Sequence, residues 1–169
     1  YKYLLVSAIL TDSGFLKYGN TRTIKNLNTI LQDQVEIQEI IPLLERERDV
    51  SEKIARIKAL QRVKLIKIND WLIGVSRLSS FTASAALTLI KVGFDVGIVV
   101  SEDKSNYRIT TRAKKQVCLK TGLHLGKIIR EINNVNGGGH DGAATLNGKN
   151  DVEESLNQLI DKIKETLIN

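Results

Sequence analysis

Apolar and polar positions along the chain predict short elements typical of an α/β protein. Residues 3–10 form an apolar run that ends at the turn-forming residues 11–14, which predicts a buried strand followed by a turn. Residues 32–62 have mostly helical spacing and many charges, and Pro42 suits the start of a helix because its missing N–H is not needed there. Asp49 with Glu52 three residues later resembles a capping box, which predicts a further helix start.

From Arg62 onwards the pattern changes to alternating strands and helices. Asn69-Asp70 predicts a hairpin turn, and Ser79-Ser80 predicts a helix N-cap. The expected strands are 63–68, 71–77, 94–100, 107–112 and 143–146, and the expected helices are 81–92, 123–132 and 152–167. The last helix has one apolar stripe, made of Val152, Leu156, Leu159, Ile160, Ile163 and Leu167.

These elements predict an α/β fold in which a mixed β-sheet is flanked by helices. Residues 62–169 form the main domain, residues 31–61 a helical connector, and residues 1–30 the last strand segment of a preceding domain. The sequence contains no Met, even at position 1, so we expect the chain to begin inside a longer reading frame. The apolar stretches are short and interrupted by charge, so we expect no association with a membrane.

The basic charge of the chain is concentrated in one region. The net charge is +6, and residues 104–130 contain eight Lys or Arg residues and no Asp or Glu. This region is either an ordinary solvated face or a surface that attracts polyanions, and charge alone favours neither interpretation. Cys118 is the only cysteine, which rules out a disulfide within the chain and favours a cytoplasmic protein.

Gly137-Gly138-Gly139-His140 is the most informative segment for chemistry. Successive glycines can adopt positive φ and turn their N–H groups into one concavity, a nest that binds a phosphate or carboxylate. His140 would add a hydrogen-bond donor beside it. The alternative is a flexible loop with an incidental histidine. The small Ala143 and Ala144 that follow suggest close packing against a neighbouring backbone.

Arg108 and Arg112 are four residues apart on one predicted strand, so both side chains should point to the same face. A guanidinium group matches phosphate oxygens in a bidentate manner, which makes a phosphate contact plausible. A strand face that merely meets solvent is the alternative.

Asp12 follows the first apolar run, where α/β enzymes often hold a metal, although Asp is also common in ordinary turns. One carboxylate cannot build a hydrolytic metal centre. Glu36, Glu39 and Glu45 are interpreted as solvated residues of the connector. His124 is expected to cap or pack near a helix start, and Cys118 has no partners for nucleophilic catalysis.

In this order and spacing, the segments resemble the DHH phosphoesterase family, which includes RecJ-type exonucleases and enzymes that degrade short oligonucleotides. Residues 11–14 resemble the last metal-binding motif of the family, and residues 110–112 resemble a Ser-x-Arg segment of its DHH-associated C-terminal domain. Residues 137–144 resemble the Gly-Gly-Gly-His-x-x-Ala-Ala signature of that domain, and the overall style is closest to archaeal members.

The resemblance implies roles for individual residues. Asp12 would be a manganese ligand, with magnesium as the alternative metal, and Arg112 and His140 would hold a substrate phosphate together with the glycines. Ser13, Lys17 and Thr110 depart mildly from the family pattern. The upstream Asp-x-Asp and Asp-His-His motifs are absent, so the chain alone would be catalytically incomplete.

Two functions follow from the resemblance. The chain would be the C-terminal, substrate-binding part of a manganese-dependent phosphoesterase or exonuclease acting on single-stranded DNA or RNA, or on short oligonucleotides. Alternatively, it would belong to a non-catalytic RecJ-like protein that binds nucleic acid or partners replication proteins. An unrelated nucleic-acid-binding domain is a third interpretation, under which His140 would contribute little to binding.

Overall fold

Residues 1–31, 36–44 and 49–168 are described by the computed structural model. The chain divides into two units, residues 1–48 and residues 49–169. Among the residues that the structure describes, none of the helices combines the length and the apolar character that a membrane crossing requires.

The first unit is helical. It contains α1 (Lys2–Asp12), α2 (Thr21–Leu31) and α3 (Ile37–Leu44). The side chains of Val6, Leu10, Leu27 and Ile40 are buried together at its centre. The predicted strand over residues 3–10 is therefore wrong. A short apolar run is compatible with either element, and here α1 buries one face, with Val6 and Leu10, against the neighbouring helices.

Two further expectations for residues 1–62 need correction or lie outside the described residues, and one helix was not predicted. α2 was missed although Ile24, Leu27 and Ile30 recur at helical spacing. Pro42 lies inside α3 instead of beginning a helix. Residues 32–35 and 45–48, including Glu45, lie outside the described residues.

The second unit combines helices with one sheet. Its helices are α4 (Val50–Gln61), α5 (Thr82–Val92), α6 (Lys115–Thr121), α7 (Leu125–Arg130) and α8 (Val152–Ile168). Its strands are β1 (Lys64–Ile68), β2 (Trp71–Arg77), β3 (Val96–Asp103), β4 (Asn106–Ala113), β5 (Val135–Gly139) and β6 (Ala143–Lys149). The strand order is β1-β2-β3-β4-β6-β5. Only β2 and β3 are parallel among the paired strands, which confirms the expected mixed sheet.

The principal core lies on one face of this sheet, under α7 and α8. Ile98, Ile109 and Leu146 belong to it, and they come from three neighbouring strands. All six residues of the apolar stripe predicted for the last helix are buried in this core. The stripe is therefore confirmed.

The opposite face of the sheet is covered by α4 and α5. Ala59, Ala86 and Val99 belong to this second cluster. α5 approaches β3 so closely that a Cβ atom on Gly97 would lie 2.8 Å from the Ala86 carbonyl oxygen. Ser76 donates a hydrogen bond of 2.9 Å to the carbonyl oxygen of Ala59, which fastens α4 to the sheet.

The predicted N-terminal cap of α4 is confirmed, and the predicted N-terminal cap of α5 is wrong. The Asp49 side chain caps α4 by accepting a hydrogen bond from the Ser51 N–H. α5 is capped by Phe81 in the left-handed conformation, with φ of 54°, and not by Ser79 or Ser80. The buried Thr82 that follows shares a hydrogen bond of 2.9 Å with Thr110 on β4, and this contact anchors the first turn of α5 on the sheet.

Candidate functional site

On the α5 side of the sheet, α5 covers β3 and the Thr110 position of β4, whereas the positions of β6 and β5 lie beyond the area that α4 and α5 cover. Side chains opposite one another on paired strands share a face, so the registers define rows across the sheet. We call these three rows the open face. The first row is Ser101, Arg108, Asn147 and Asn136; the second is Val99, Thr110, Thr145 and Gly138; the third is Gly97, Arg112 and Ala143, followed by His140, whose backbone N–H bonds to the Ala143 carbonyl oxygen just beyond the paired residues of β5.

Arg112 is the cation at the centre of the third row. It is half-buried, and its neighbours in register are Gly97, which has no side chain, and Ala143, which has only a methyl group. Its guanidinium group has no hydrogen-bond or ion-pair partner within the described part of the chain. A half-buried cation without a protein partner gains by meeting an anion, because burial weakens its contact with water.

His140 ends the same row, one position beyond β5. The backbone N–H of His140 donates a hydrogen bond of 2.8 Å to the Ala143 carbonyl oxygen. Its backbone carbonyl oxygen accepts a hydrogen bond of 3.0 Å from the Gly126 N–H. These bonds fix the backbone, while the His140 side chain is exposed. Two strand spacings separate it from Arg112, roughly 10 Å between backbones. The structure thus brings Arg112 and His140 into one row, with a small residue between them.

The three glycines do not form the predicted nest. Gly137, Gly138 and Gly139 lie on β5, an edge strand paired with β6, and only Gly139 has a positive φ, of 154°. A nest needs successive residues of alternating handedness, which an extended strand does not provide.

Close packing explains most of the glycine requirement. A Cβ atom on Gly137 would lie 2.4 Å from the Thr145 carbonyl oxygen and 2.8 Å from the Ile129 side chain. One on Gly139 would lie 2.2 Å from the Ala143 carbonyl oxygen, which confirms the expected close approach of the backbone to the two alanines. One on Gly126 of α7 would lie 2.2 Å from the Gly139 carbonyl oxygen. Gly138 differs, because its nearest neighbour would be Arg130 Nε at 3.9 Å.

The basic region 104–130 does not form one patch. Lys114 is paired with Asp95 at 3.0 Å, and Lys115 and Lys120 lie on α6. Arg108 and Arg112 lie in the rows of the open face, and Arg130 reaches the edge strand from α7. The charges nearest the open face are therefore arginines. The sequence did not single out Arg130, because its closeness to Gly138 depends on how α7 packs on β5.

The part of the chain that contains most of this surface matches a known protein family. Residues 82–169, which include Arg108, Arg112 and the whole segment from Gly137 to His140, match the DHHA1 domain. The chain belongs to the DHHA1 domain family. It is thus the C-terminal domain type of DHH-family proteins, as the sequence motifs indicated.

A curated relative and two solved structures are similar over more of the chain than the DHHA1 domain alone. An uncharacterised protein of Methanocaldococcus jannaschii is 31% identical over 162 residues, which cover 94% of this chain and 49% of that protein. An exopolyphosphatase-related protein from Bacteroides fragilis superposes with a TM-score of 0.64 at 16% identity, covering 95% of this chain and 49% of the other.

A DHH domain described as a member of the s1p family of ribosomal proteins gives a TM-score of 0.55 at 13% identity, with 95% and 42% coverage. The two structural likenesses show the fold alone. The chain spans about half the length of the curated relative that it matches.

The described residues do not form a complete site for the metal that the resemblance to DHH proteins implies. Asp12 is the exposed last residue of α1, not a residue that follows a strand. Within the ranges 1–31, 36–44 and 49–168, no group of three or more His, Cys, Asp or Glu side chains is placed to hold a metal ion. Asp12 as a metal ligand therefore stays a prediction, and it would require ligands from elsewhere.

His124 and Cys118 have structural surroundings. The Nδ1 atom of His124 accepts a hydrogen bond of 3.2 Å from the Lys127 N–H, so it caps α7 as expected. Cys118 is buried, and this burial, reinforced by the negative charge of Asp141, raises the pKa of its thiol above the usual value. A thiol that stays protonated at neutral pH is a weak nucleophile.

The glycine contacts predict unequal effects of adding one methyl group on β5. Gly137→Ala should lower the free energy of unfolding by about 1–3 kcal/mol, because its Cβ would overlap the β6 backbone and Ile129. Gly138→Ala should change it by less than about 0.5 kcal/mol, since its Cβ meets only open space and Arg130. Urea unfolding followed by circular dichroism measures both. Equal stabilities of the two variants would contradict the packing explanation.

Proposed function

We propose that this chain is the substrate-binding part of a metal-dependent phosphoesterase or exonuclease that acts on single-stranded nucleic acid or short oligonucleotides. Arg112 and His140 would hold a phosphate of the substrate on the third row of the open face. The observation that supports this most directly is the half-buried guanidinium group of Arg112, which has no partner among the described residues and shares a row with His140.

The shape and charge of the row suit a phosphate. Ala143 flanks Arg112 with little side-chain volume on the β6 side, so a tetrahedral anion can approach the guanidinium group from that side, whereas α5 fills the space over Gly97. The twelve positions of the three rows include two arginines and one histidine, and no carboxylate. The Arg112 guanidinium group would bind one phosphate oxygen. The His140 imidazole would donate a hydrogen bond to another oxygen of the same phosphate, directly or through a water.

Gly138 and the edge strand would contribute space and backbone donors. β5 pairs on one side only, and the free side of an edge strand presents unpaired N–H and C=O groups. The absence of a side chain on Gly138 leaves the open face accessible beside His140, with Arg130 close by. Glycines 137 to 139 would therefore act by permitting close approach, and not as a nest.

Hydrolysis would need metal ligands beyond those that the described residues supply. In the proposed enzyme, manganese, or magnesium in its place, would be held mainly by upstream carboxylates and histidines, with Asp12 as one ligand. When bound there, the metal would supply Lewis acidity towards water and towards the phosphate. The residues of this chain would bind and orient the substrate. The single free cysteine is consistent with a cytoplasmic location.

A second function is favoured by the metal centre being incomplete in the described residues. A non-catalytic RecJ-like protein, partnering nucleic acid or replication proteins, would keep the open face without needing the metals. This alternative and the enzyme share the prediction that Arg112 binds phosphate, and they differ only in what the upstream half supplies.

Removing Arg112 should weaken binding to a single-stranded oligonucleotide. We expect Arg112→Ala to raise Kd about tenfold or more, the effect of losing a hydrogen bond to a charged group. Lys120→Ala is the matched control, because it removes the same charge from an exposed position on α6 and should change Kd by less than about twofold. Fluorescence anisotropy at fixed salt measures both. Equal losses in the two variants would show that only net charge matters.

A substitution at Asp12 distinguishes the proposed enzyme from the proposed non-catalytic protein. In the protein that includes the upstream half, with manganese supplied, Asp12→Ala should reduce the degradation of short oligonucleotides by at least about a hundredfold, while the Kd measured with metal removed stays the same. Asp12 is exposed, so the change should not disturb folding. Absence of degradation by the unmodified protein would favour the partner function.

A further inference from the structure

A cleft lies at the end of the open face that is away from Arg112 and His140. It has a volume of about 600 Å³, large enough for a nucleobase with its sugar. All four residues of the first row, Ser101, Arg108, Asn147 and Asn136, line it. Nothing in the family match assigns a role to this end of the sheet.

We propose that this cleft is a base-reading subsite that takes a purine of the bound oligonucleotide. The proposal rests on the proposed function, because the phosphate held by Arg112 is what brings the neighbouring nucleoside to the cleft. It assigns Arg108 to base recognition, whereas the motif alone predicted that Arg108 contacts a phosphate.

Arg108 and Asn147 form a prearranged pair. Arg108 Nε donates a hydrogen bond of 2.9 Å to Asn147 Oδ1. This bond occupies the amide oxygen and orients the Asn147 amide, so its NH₂ group remains to donate to a ligand. The terminal nitrogens of Arg108 form no hydrogen bond or ion pair within the described part of the chain. The pair thus presents several donors whose orientation is fixed before a ligand arrives, which limits the entropy lost on binding.

The lining of the cleft distinguishes a base from a phosphate. Asn136, Asn134 and Asn106 offer amide oxygens as well as NH₂ groups, and Asp103 adds a carboxylate beside the cations Arg108 and Lys149. Amide and carboxylate oxygens repel a phosphate, which only accepts hydrogen bonds at its charged oxygens. A nucleobase edge presents donors and acceptors together, and it matches this mixed lining. The third row, with Arg112 and His140 and no carboxylate, has the opposite character.

The distance between the two sites suits adjacent parts of one strand. The first and third rows are four residues apart along β4, which corresponds to roughly 13 Å at the rise of an antiparallel strand. α5 covers Thr110 between the rows, so the accessible path runs beside it, over Thr145 of β6 and Gly138 of β5. An extended strand of nucleic acid can therefore lie along β6 with a phosphate at Arg112 and a base near Arg108.

The residue types favour a purine. Arg pairs with the O6 and N7 atoms of guanine, and Asn pairs with the N6 and N7 atoms of adenine, so both act on the edge that purines present and pyrimidines lack. Bases of single strands are read in the same way on their exposed edges. Arg108 and Asn147 lie side by side in the cleft, which allows either purine to find a partner.

The test compares oligonucleotides of one length with adenine, with thymine, and with no base at each position. Binding of the 169-residue chain is measured by fluorescence anisotropy in the presence of a metal chelator. We expect the unmodified chain to bind the adenine oligomer about tenfold more tightly than the abasic one. Asn147→Ala should abolish this preference and leave the Kd of the abasic oligomer unchanged.

Arg108→Lys keeps the positive charge but loses the Nε bond to Asn147 and the planar fork. Under the proposal it loses the purine preference like Asn147→Ala. Both residues are exposed on their strands, and an unchanged melting temperature verifies folding.

Three results would overturn the inference. If the unmodified chain binds all three oligomers equally, and Arg112→Ala weakens all of them, the cleft does not read bases while the proposed function stands. If Arg108→Lys behaves like the unmodified chain, and Arg108→Ala weakens all oligomers equally, Arg108 is a phosphate contact. If none of the oligomers binds, the proposed function and this inference both fail.

Discussion

The contact between α7 and the backbone of β5 is the constraint on which the candidate site depends. α7 begins directly against the edge strand, where the Gly126 N–H bonds to the His140 carbonyl oxygen and the Leu125 N–H bonds to that of Asp141, each at 3.0 Å. Side chains at Gly126 or Gly139 would occupy the space that these bonds require. The close contact fixes the end of β5, and with it the position of His140 opposite Ala143. Without it, the histidine would not be held in the row of Arg112.

The second requirement is that one face of the sheet is covered only in part. α4 and α5 bury β2 and β3, and the contact of Thr82 with Thr110 brings α5 as far as β4. β6 and β5 receive their packing from α7 on the other face. The buried polar groups are satisfied throughout the described residues, since no buried side-chain nitrogen or oxygen lacks a hydrogen-bond partner there. The unpaired guanidinium group of Arg112 therefore stands out because it is accessible, half-buried and free to bind a ligand.

The fold was predictable where one periodicity dominates. The apolar stripe of α8 and the hairpin of β1 and β2 were both expected from local pattern, because α8 has one buried face and Asn69-Asp70 marks the turn of the hairpin. Residues 3–10 were misassigned because an apolar run that only Ser7 interrupts has no period that separates a helix from a strand. The glycines were misassigned for a different reason. Their role depends on how α7 and β6 approach them, and no local pattern contains that information.

The sequence motifs identified the residues of the site. Their arrangement became clear only from the pairing of strands in the sheet. Arg108 and Arg112 were expected on one face of a strand, and the registers confirm this. Arg108 is hydrogen-bonded to Asn147, whereas Arg112 has no such partner among the described residues. The spacing of the two arginines could not predict this difference, because Asn147 is 39 residues from Arg108 in the chain.

The central claim is that the open face binds a phosphate at Arg112 and His140. A nuclear magnetic resonance titration with a 5′-phosphorylated dinucleotide tests it most directly. We expect the largest shifts at the Arg112 side chain, Gly138 and His140, and no response from Ile163 under the opposite face. Shifts confined to other surfaces, or none at saturating ligand, would contradict it.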